Sequence, residues 1–186
     1  MYRLQSHFTP LARRAPWWVA LTCALLSFGC TARELTQAEL EDVDALTKQH
    51  KTATKTQRSE AVKLLREADA AAKERRWDIT AKIYGEAAIR WPSFRSLKGM
   101  GEATAKSDLR RATMVETHTA HKAAFVEAAG YLRTAVRFAE KVPGQAQAAE
   151  LEAVRQQISC LESYAGGVAH NCEPVRSVLL RYAAKP

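Results

Sequence analysis

The stretch Ala61–Pro92, AVKLLREADAAAKERRWDITAKIYGEAAIRWP, carries the pattern that decides the fold. Val62, Leu65, Ala68 and Ala72 recur at the three-and-four spacing that puts apolar side chains on one face of a helix. The run breaks at Lys73-Glu74-Arg75-Arg76. Trp77, Ala81, Tyr84 and Ala88 then mark a second helix, and Trp91-Pro92 stops it. Proline lacks the backbone donor and disfavours helix in the residue before it. The short break makes the two helices antiparallel neighbours, and their small residues let the backbones approach closely. A charged cluster such as Lys73–Arg76 at a helix end complements the dipole of its own helix.

Outward from this hairpin the same period continues. Leu97, Met100, Gly101 and Thr104 open a further helix after Pro92. From about Asp108 to Val142, Phe125, Ala128, Ala129, Leu132, Ala135, Val136 and Ala139 form a broad stripe that ends at Pro143-Gly144, a strong stop. Gln145 to Tyr164 follows with Ala148, Leu151, Val154, Ile158 and Leu161. Glu173-Pro174 starts a last helix with Val175, Val178, Leu179 and Tyr182, proline being tolerated in a first turn. On the N-terminal side, Thr36-Gln37-Ala38-Glu39 has the form of a capping box, and Leu40, Val43, Leu46 and Ala53 make a thin apolar stripe. Thr47–Ser59 is polar, so this first helix is expected to be exposed or frayed, or to serve as a stalk. No stretch alternates with period two. The chain is also rich in Ala, Glu, Lys, Arg, Gln and Leu, which lose little on entering a helix. The expectation is an all-α domain over residues 36–186, built of antiparallel helix hairpins.

The central hairpin resembles a tetratricopeptide repeat. That family's 34-residue unit places small residues within its first helix, aromatics early and midway in its second, an alanine three residues later and a terminal proline. Leu64, Ala68, Trp77, Tyr84, Ala87 and Pro92 stand at those positions. Glu67 replaces an apolar residue of the pattern, and Thr80 an alanine. The resemblance covers about 50 residues: one repeat and the opening helix of another. It implies that Ala68 admits the second helix while Trp77 and Tyr84 fill the angle towards the next unit. Because a lone repeat cannot bury its own face, the remaining helices must stack on it. Proteins of this kind usually hold another protein's peptide or helix. Lys63, Glu67, Lys98 and Glu102 are the polar first-helix residues placed to form such a face.

Residues 1–16 carry Arg3, Arg13 and Arg14 and no acid. A short apolar run, Trp17–Phe28, then leads to Gly29-Cys30 and polar sequence. A basic start, an apolar run too short to span a bilayer and a small residue before the cut describe an export signal. Gly29-Cys30 resembles the lipobox of bacterial lipoproteins, in which the cysteine is acylated and becomes the new N-terminus. Ser27 stands where that family usually has leucine, and Phe28 where it has a small residue. The resemblance implies a signal peptide at 1–29, acylated Cys30 as membrane anchor, a linker at 30–35, and, because Thr31 rather than aspartate follows, an outer-membrane address facing the periplasm. Removing the signal takes three arginines from the net charge of +8, leaving +5 on residues 30–186. That modest excess favours weak attraction to anionic lipid heads or acidic polymers. It is not the dense basic stripe interleaved with aromatics of a nucleic-acid binder, so no nucleic-acid partner is expected.

Two cysteines remain after the signal and the anchor. Cys160 and Cys172 form an even pair in an oxidising compartment and flank Gly166-Gly167, where the chain can turn back. A disulfide between them is expected to staple the last helix to its predecessor. His118 and His121 lie three apart, but no further ligand stands at metal spacing, so no metal is expected. Nucleophile elbow, phosphate loop and metalloprotease helix motifs are absent, so no catalytic residue and no cofactor are assigned. The leading expectation is a non-catalytic scaffold or assembly lipoprotein that binds another envelope protein. The alternatives are an immunity or inhibitor lipoprotein guarding against a secreted toxin and, further off, a peptidoglycan-acting enzyme.

Overall fold

The computed structural model describes residues 39–40, 42–114, 122–168, 172–173 and 175–176, with backbone alone at 112–114. Six helices and no strands occur among the described residues: α1 Val43–Thr52, α2 Lys55–Lys73, α3 Trp77–Arg90, α4 Phe94–Met114, α5 Lys122–Lys141 and α6 Ala148–Ala165. Cys30, Thr36, His118, His121 and Pro174 lie outside the described residues. All described residues belong to the unit Arg33–Pro186, and every member of its hydrophobic core falls between Leu40 and Val175.

The helix ends follow local chemistry. Thr54 and Gln57 form a reciprocal capping box that starts α2. Before α4, the Ser93 hydroxyl accepts from the Ser96 amide (3.2 Å) and the Ser96 hydroxyl from the Ser93 amide (3.1 Å). The turn after α2 runs through Arg75, which holds a left-handed φ of 57°, and Arg76 there pairs with Glu74 at 2.7 Å. Helix α6 ends at Gly166 and Gly167, the latter with φ of 82°. A side chain at Gly167 would be strained in that conformation.

From α2 to α6 each helix packs on the next in the chain, and the short turns at 74–76, 91–93 and 142–147 make the helices they join antiparallel. Helix α1 instead packs on α5. The chain thus departs from a strictly linear stack, in which each unit touches only its sequence neighbours. This corrects the expectation of an exposed or frayed first helix. Val43, Leu46 and Thr47 are buried, and the Thr134 hydroxyl donates to the Leu40 carbonyl at 3.0 Å. His50 stacks on Trp91 (5.1 Å between centroids) and meets Phe138 edge-on, while its Nδ1 lies 2.6 Å from the Pro92 carbonyl. Gln49 and His50 reach the Ile89 and Pro92 carbonyls, and His50 also meets aromatic faces, while Asp44, Lys48, Lys51 and Thr52 of α1 are exposed.

The inner faces also differ by a small rotation from the sequence pattern. Helix α2 buries Ala61, Leu65, Ala68 and Ala71, and Val62 is 38% exposed while Ala72 is half-buried. The face of α2 that packs on α3 is mainly alanine with Leu65 among them, so small side chains fill most of it. Helix α3 buries Thr80, Tyr84, Ala87 and Ala88. Thr80 is tolerated where an alanine was expected because its hydroxyl donates to the Arg76 carbonyl at 2.9 Å. Asp108, expected to start a helix reaching Val142, lies inside α4, and the next helix starts at Lys122.

Candidate functional site

Tyr84, singled out by the sequence pattern, lines a cleft beside the helix pairs. Its ring lies flat against Gly99 of α4: a Cβ added there would come within 2.6 Å of the ring. Gly99 is therefore small because an aromatic needs its space. The Tyr84 hydroxyl donates to Asp69 Oδ1 of α2 at 2.6 Å, and Arg95 of α4 binds the other oxygen of the same carboxylate. One carboxylate thus ties three consecutive helices together. Burial, and then the Asp69 hydrogen bond, hold the tyrosine hydroxyl far above its ordinary pKa, so it stays a neutral donor.

On the other side of Gly99, Lys98 reaches across to α6. Its ammonium lies 2.8 Å from Glu150 and 3.9 Å from Glu102, and 5.7 Å from the centre of the Phe94 ring. Gln145, in the turn before α6, accepts from the Phe94 amide at 3.4 Å. These groups enclose a solvent-open cleft of about 380 Å³ lined by Tyr84, Phe94, Arg95, Lys98, Gly99, Glu102, Gln145 and Glu150. Its walls mix two cations, two carboxylates, an amide and two aromatic edges, held by cross-helix hydrogen bonds before any ligand arrives. Such a cleft can take an extended or helical peptide by hydrogen bonding and aromatic contact.

The structure divides the four polar residues expected to share one face. Lys98 and Glu102 line the cleft. Lys63 and Glu67 pair with each other at 3.9 Å on exposed α2, and Lys63 lies along a second opening with Arg58, Val62, Arg66 and Trp91. Among the other repeat positions, Ala68, Ala87 and Pro92 are fully buried and Leu64 packs against the core. Trp77 is half-buried with the Lys106 ammonium 4.8 Å from its ring centre. Asp69, Arg95, Gly99, Gln145 and Glu150 were not singled out by sequence. The two closely spaced glycines of Lys98-Gly99-Met100-Gly101 within a helix were the available signal, since mid-helix glycine is costly unless something packs against it. Gly101 has its own reason: a Cβ there would meet Leu132 of α5 at 2.8 Å.

A second polar group lies at the start of α3. Asp78 accepts from Ser107 and from Arg111 (2.5 Å), and Arg111 also approaches buried Asp108 at 3.4 Å. Burial pushes the Asp108 carboxyl up to about 6, with Arg111 acting in the opposite direction. Cys160 and Cys172 sit side by side with their sulfurs at bonding distance and Cα atoms 5.6 Å apart. Among the described residues no group of three or more His, Cys, Asp or Glu is placed to hold a metal ion, and no helix is long and apolar enough to cross a membrane. No protein-family model matches the chain, and no curated protein or solved structure matches it either.

Proposed function

We propose that this chain is an outer-membrane lipoprotein, anchored through acylated Cys30, that holds a segment of another envelope protein in the cleft between α4 and α6. The tether is supported by the Arg13–Cys30 pattern of basic start, short apolar run and Gly-Cys. The docking role is carried by one observation: the cleft's polar groups are fixed by contacts between different helices, with the Tyr84 ring seated on Gly99. Groups held in place beforehand lose less entropy when a partner binds. The resemblance to tetratricopeptide repeats, whose faces hold peptides, points the same way.

Two measurements test the reading separately. A photo-crosslinking residue at Gln145, in the cleft, is expected to trap an envelope protein in living cells, and one at exposed Ile79 of α3 is not. Equal trapping at both positions, or none at Gln145, would overturn the docking role. Replacing Cys30 with serine is expected to release the chain from the membrane fraction and abolish acylation. A Cys30→Ser chain that remains acylated removes the tether.

A further inference from the structure

Helix α2 turns a second face away from the cleft. Lys55, Arg58, Ser59, Val62, Lys63 and Arg66 follow one another at helical spacing and line a shallow open groove of about 470 Å³ together with Trp91. Four of these six helix positions are cationic and none is acidic. Lys63 pairs with Glu67 at 3.9 Å. Arg58 lies 5.8 Å over the Trp91 ring and donates to the Lys51 carbonyl at 3.4 Å. Lys55 and Arg66 have no acidic partner among the described residues. Glu60, the other acid on this part of α2, is drawn to the opposite side by Arg90 at 3.3 Å. Lys48 and Lys51 of α1 are exposed as well. At the floor of the groove the Trp91 indole Nε1 is buried without an acceptor among the described residues, and Val62 projects into solvent at 38% exposure.

We propose that this face of α2, Lys55, Arg58, Val62, Lys63 and Arg66 with Trp91, docks the domain onto anionic phospholipid headgroups. The groove is open and shallow, as a planar array of phosphates requires. Its cations are spread along a row instead of converging on a single anion. Its one apolar projection and its aromatic are the groups that favour a lipid–water boundary. Phosphate oxygens complement the unpaired cations, and each basic residue near an anionic leaflet strengthens attachment about fivefold. The proposal rests on the tether reading in one respect: an anchor at Cys30 keeps α1 and α2 beside a leaflet. A single weak surface site then becomes effective through high local concentration. Docking through this face would leave the Tyr84–Lys98 cleft free for a protein partner.

The test uses residues 33–186, which carry the hydrophobic core of the described residues, on sedimented vesicles of phosphatidylcholine with and without phosphatidylglycerol. Binding is expected to the anionic vesicles alone and to fall as salt rises. The triple variant K55Q/R58Q/R66Q is expected to bind on the order of a hundredfold more weakly. K82Q/K122Q/R137Q removes as many charges from exposed positions on α3 and α5 and is expected to bind within about threefold of the parent. With Trp77 changed to phenylalanine, Trp91 is the remaining tryptophan of this segment, and its emission is expected to shift on anionic vesicles only. Equal binding to both lipids, equal losses in the two triple variants, or an unmoved Trp91 emission would overturn the proposal. So would capture of an acidic polypeptide by this face with no affinity for vesicles. The vesicle measurement involves neither Cys30 nor a protein partner, so its failure is distinguishable from failure of the tether or of the cleft.

Discussion

Asp108 lies on α4 at 3% exposure, with its Oδ2 lacking any hydrogen-bond partner among the described residues. Removing a carboxylate from water disfavours its charged form, and Arg111 offsets this only in part from 3.4 Å. Glu127 and Asp78 add repulsion. The folded chain therefore takes up a proton near pH 6, whereas the unfolded chain does so near 3.8. Between those values the folded state binds more protons, so this group's effect is to raise stability as pH falls from about 6 towards about 4. Above pH 6 the buried charge is a standing cost. Asp108→Asn is expected to be more stable than the parent at neutral pH by roughly 1–3 kcal/mol, and the difference should largely vanish near pH 4. Urea unfolding of both chains across that range decides it. A variant that is less stable at neutral pH, or a gap that does not narrow, contradicts the account.

At the scale of the helix, α1 is the most instructive element. Its ten residues are too few to hold a helix in water unaided, and Asp42 caps only one donor, the Ala45 amide at 2.9 Å. Its stability comes from packing on α5 and on the Ile89–Pro92 corner. Leu46→Ala, which opens a cavity at a position 2% exposed, is expected to cost about 2–4 kcal/mol. Most of that loss should fall on α1 itself. Hydrogen exchange should accelerate at residues 43–52 while α4 and α5 keep their protection, and uniform acceleration throughout would show α1 to be inseparable from the core. The existence of α2 to α6 was legible because their apolar residues recur at one period and several ends carry proline, glycine or charge, but the start of α2 at Lys55 and the boundary between α4 and α5 were not. Leu40, Val43, Leu46 and Ala53 were likewise found, and all are buried. What composition hid was that two polar side chains of α1, Gln49 and His50, are satisfied by a distant part of the chain. His50 and Gln49 find carbonyls about 40 positions away, and no local pattern encodes such a distance. The cleft was half legible for the same reason. Lys98 and Glu102 stand on a recognisable helix face, whereas Asp69 and Glu150 join them only through three-dimensional proximity.

For the molecule as a whole, the Cys160–Cys172 link ties the proposed compartment to the fold's C-terminal closure. Cys160 is buried on α6, Cys172 packs against the core, and Val175 just beyond it is fully buried. A cross-link over 12 positions restricts the unfolded chain and contributes about 3 kcal/mol in the chain-entropy model. For a domain of this size that corresponds to a rise in Tm of roughly 6–12 °C. Oxidised and reduced forms of residues 33–186 have the same sequence, so calorimetry on the two isolates the bond. The same pair also reports where the chain resides. A full-length chain exported through residues 1–29 should mature with both thiols blocked to alkylation in intact cells, and a chain starting at Arg33 and retained in the reducing cytosol should have both reactive. If the exported chain kept both thiols free, the C-terminal segment would have to be held by Val175 and its neighbours alone, and the oxidising compartment would lose its independent support. If instead both forms were blocked, the bond would form regardless of compartment, and the cysteines would say nothing about export while still closing the fold.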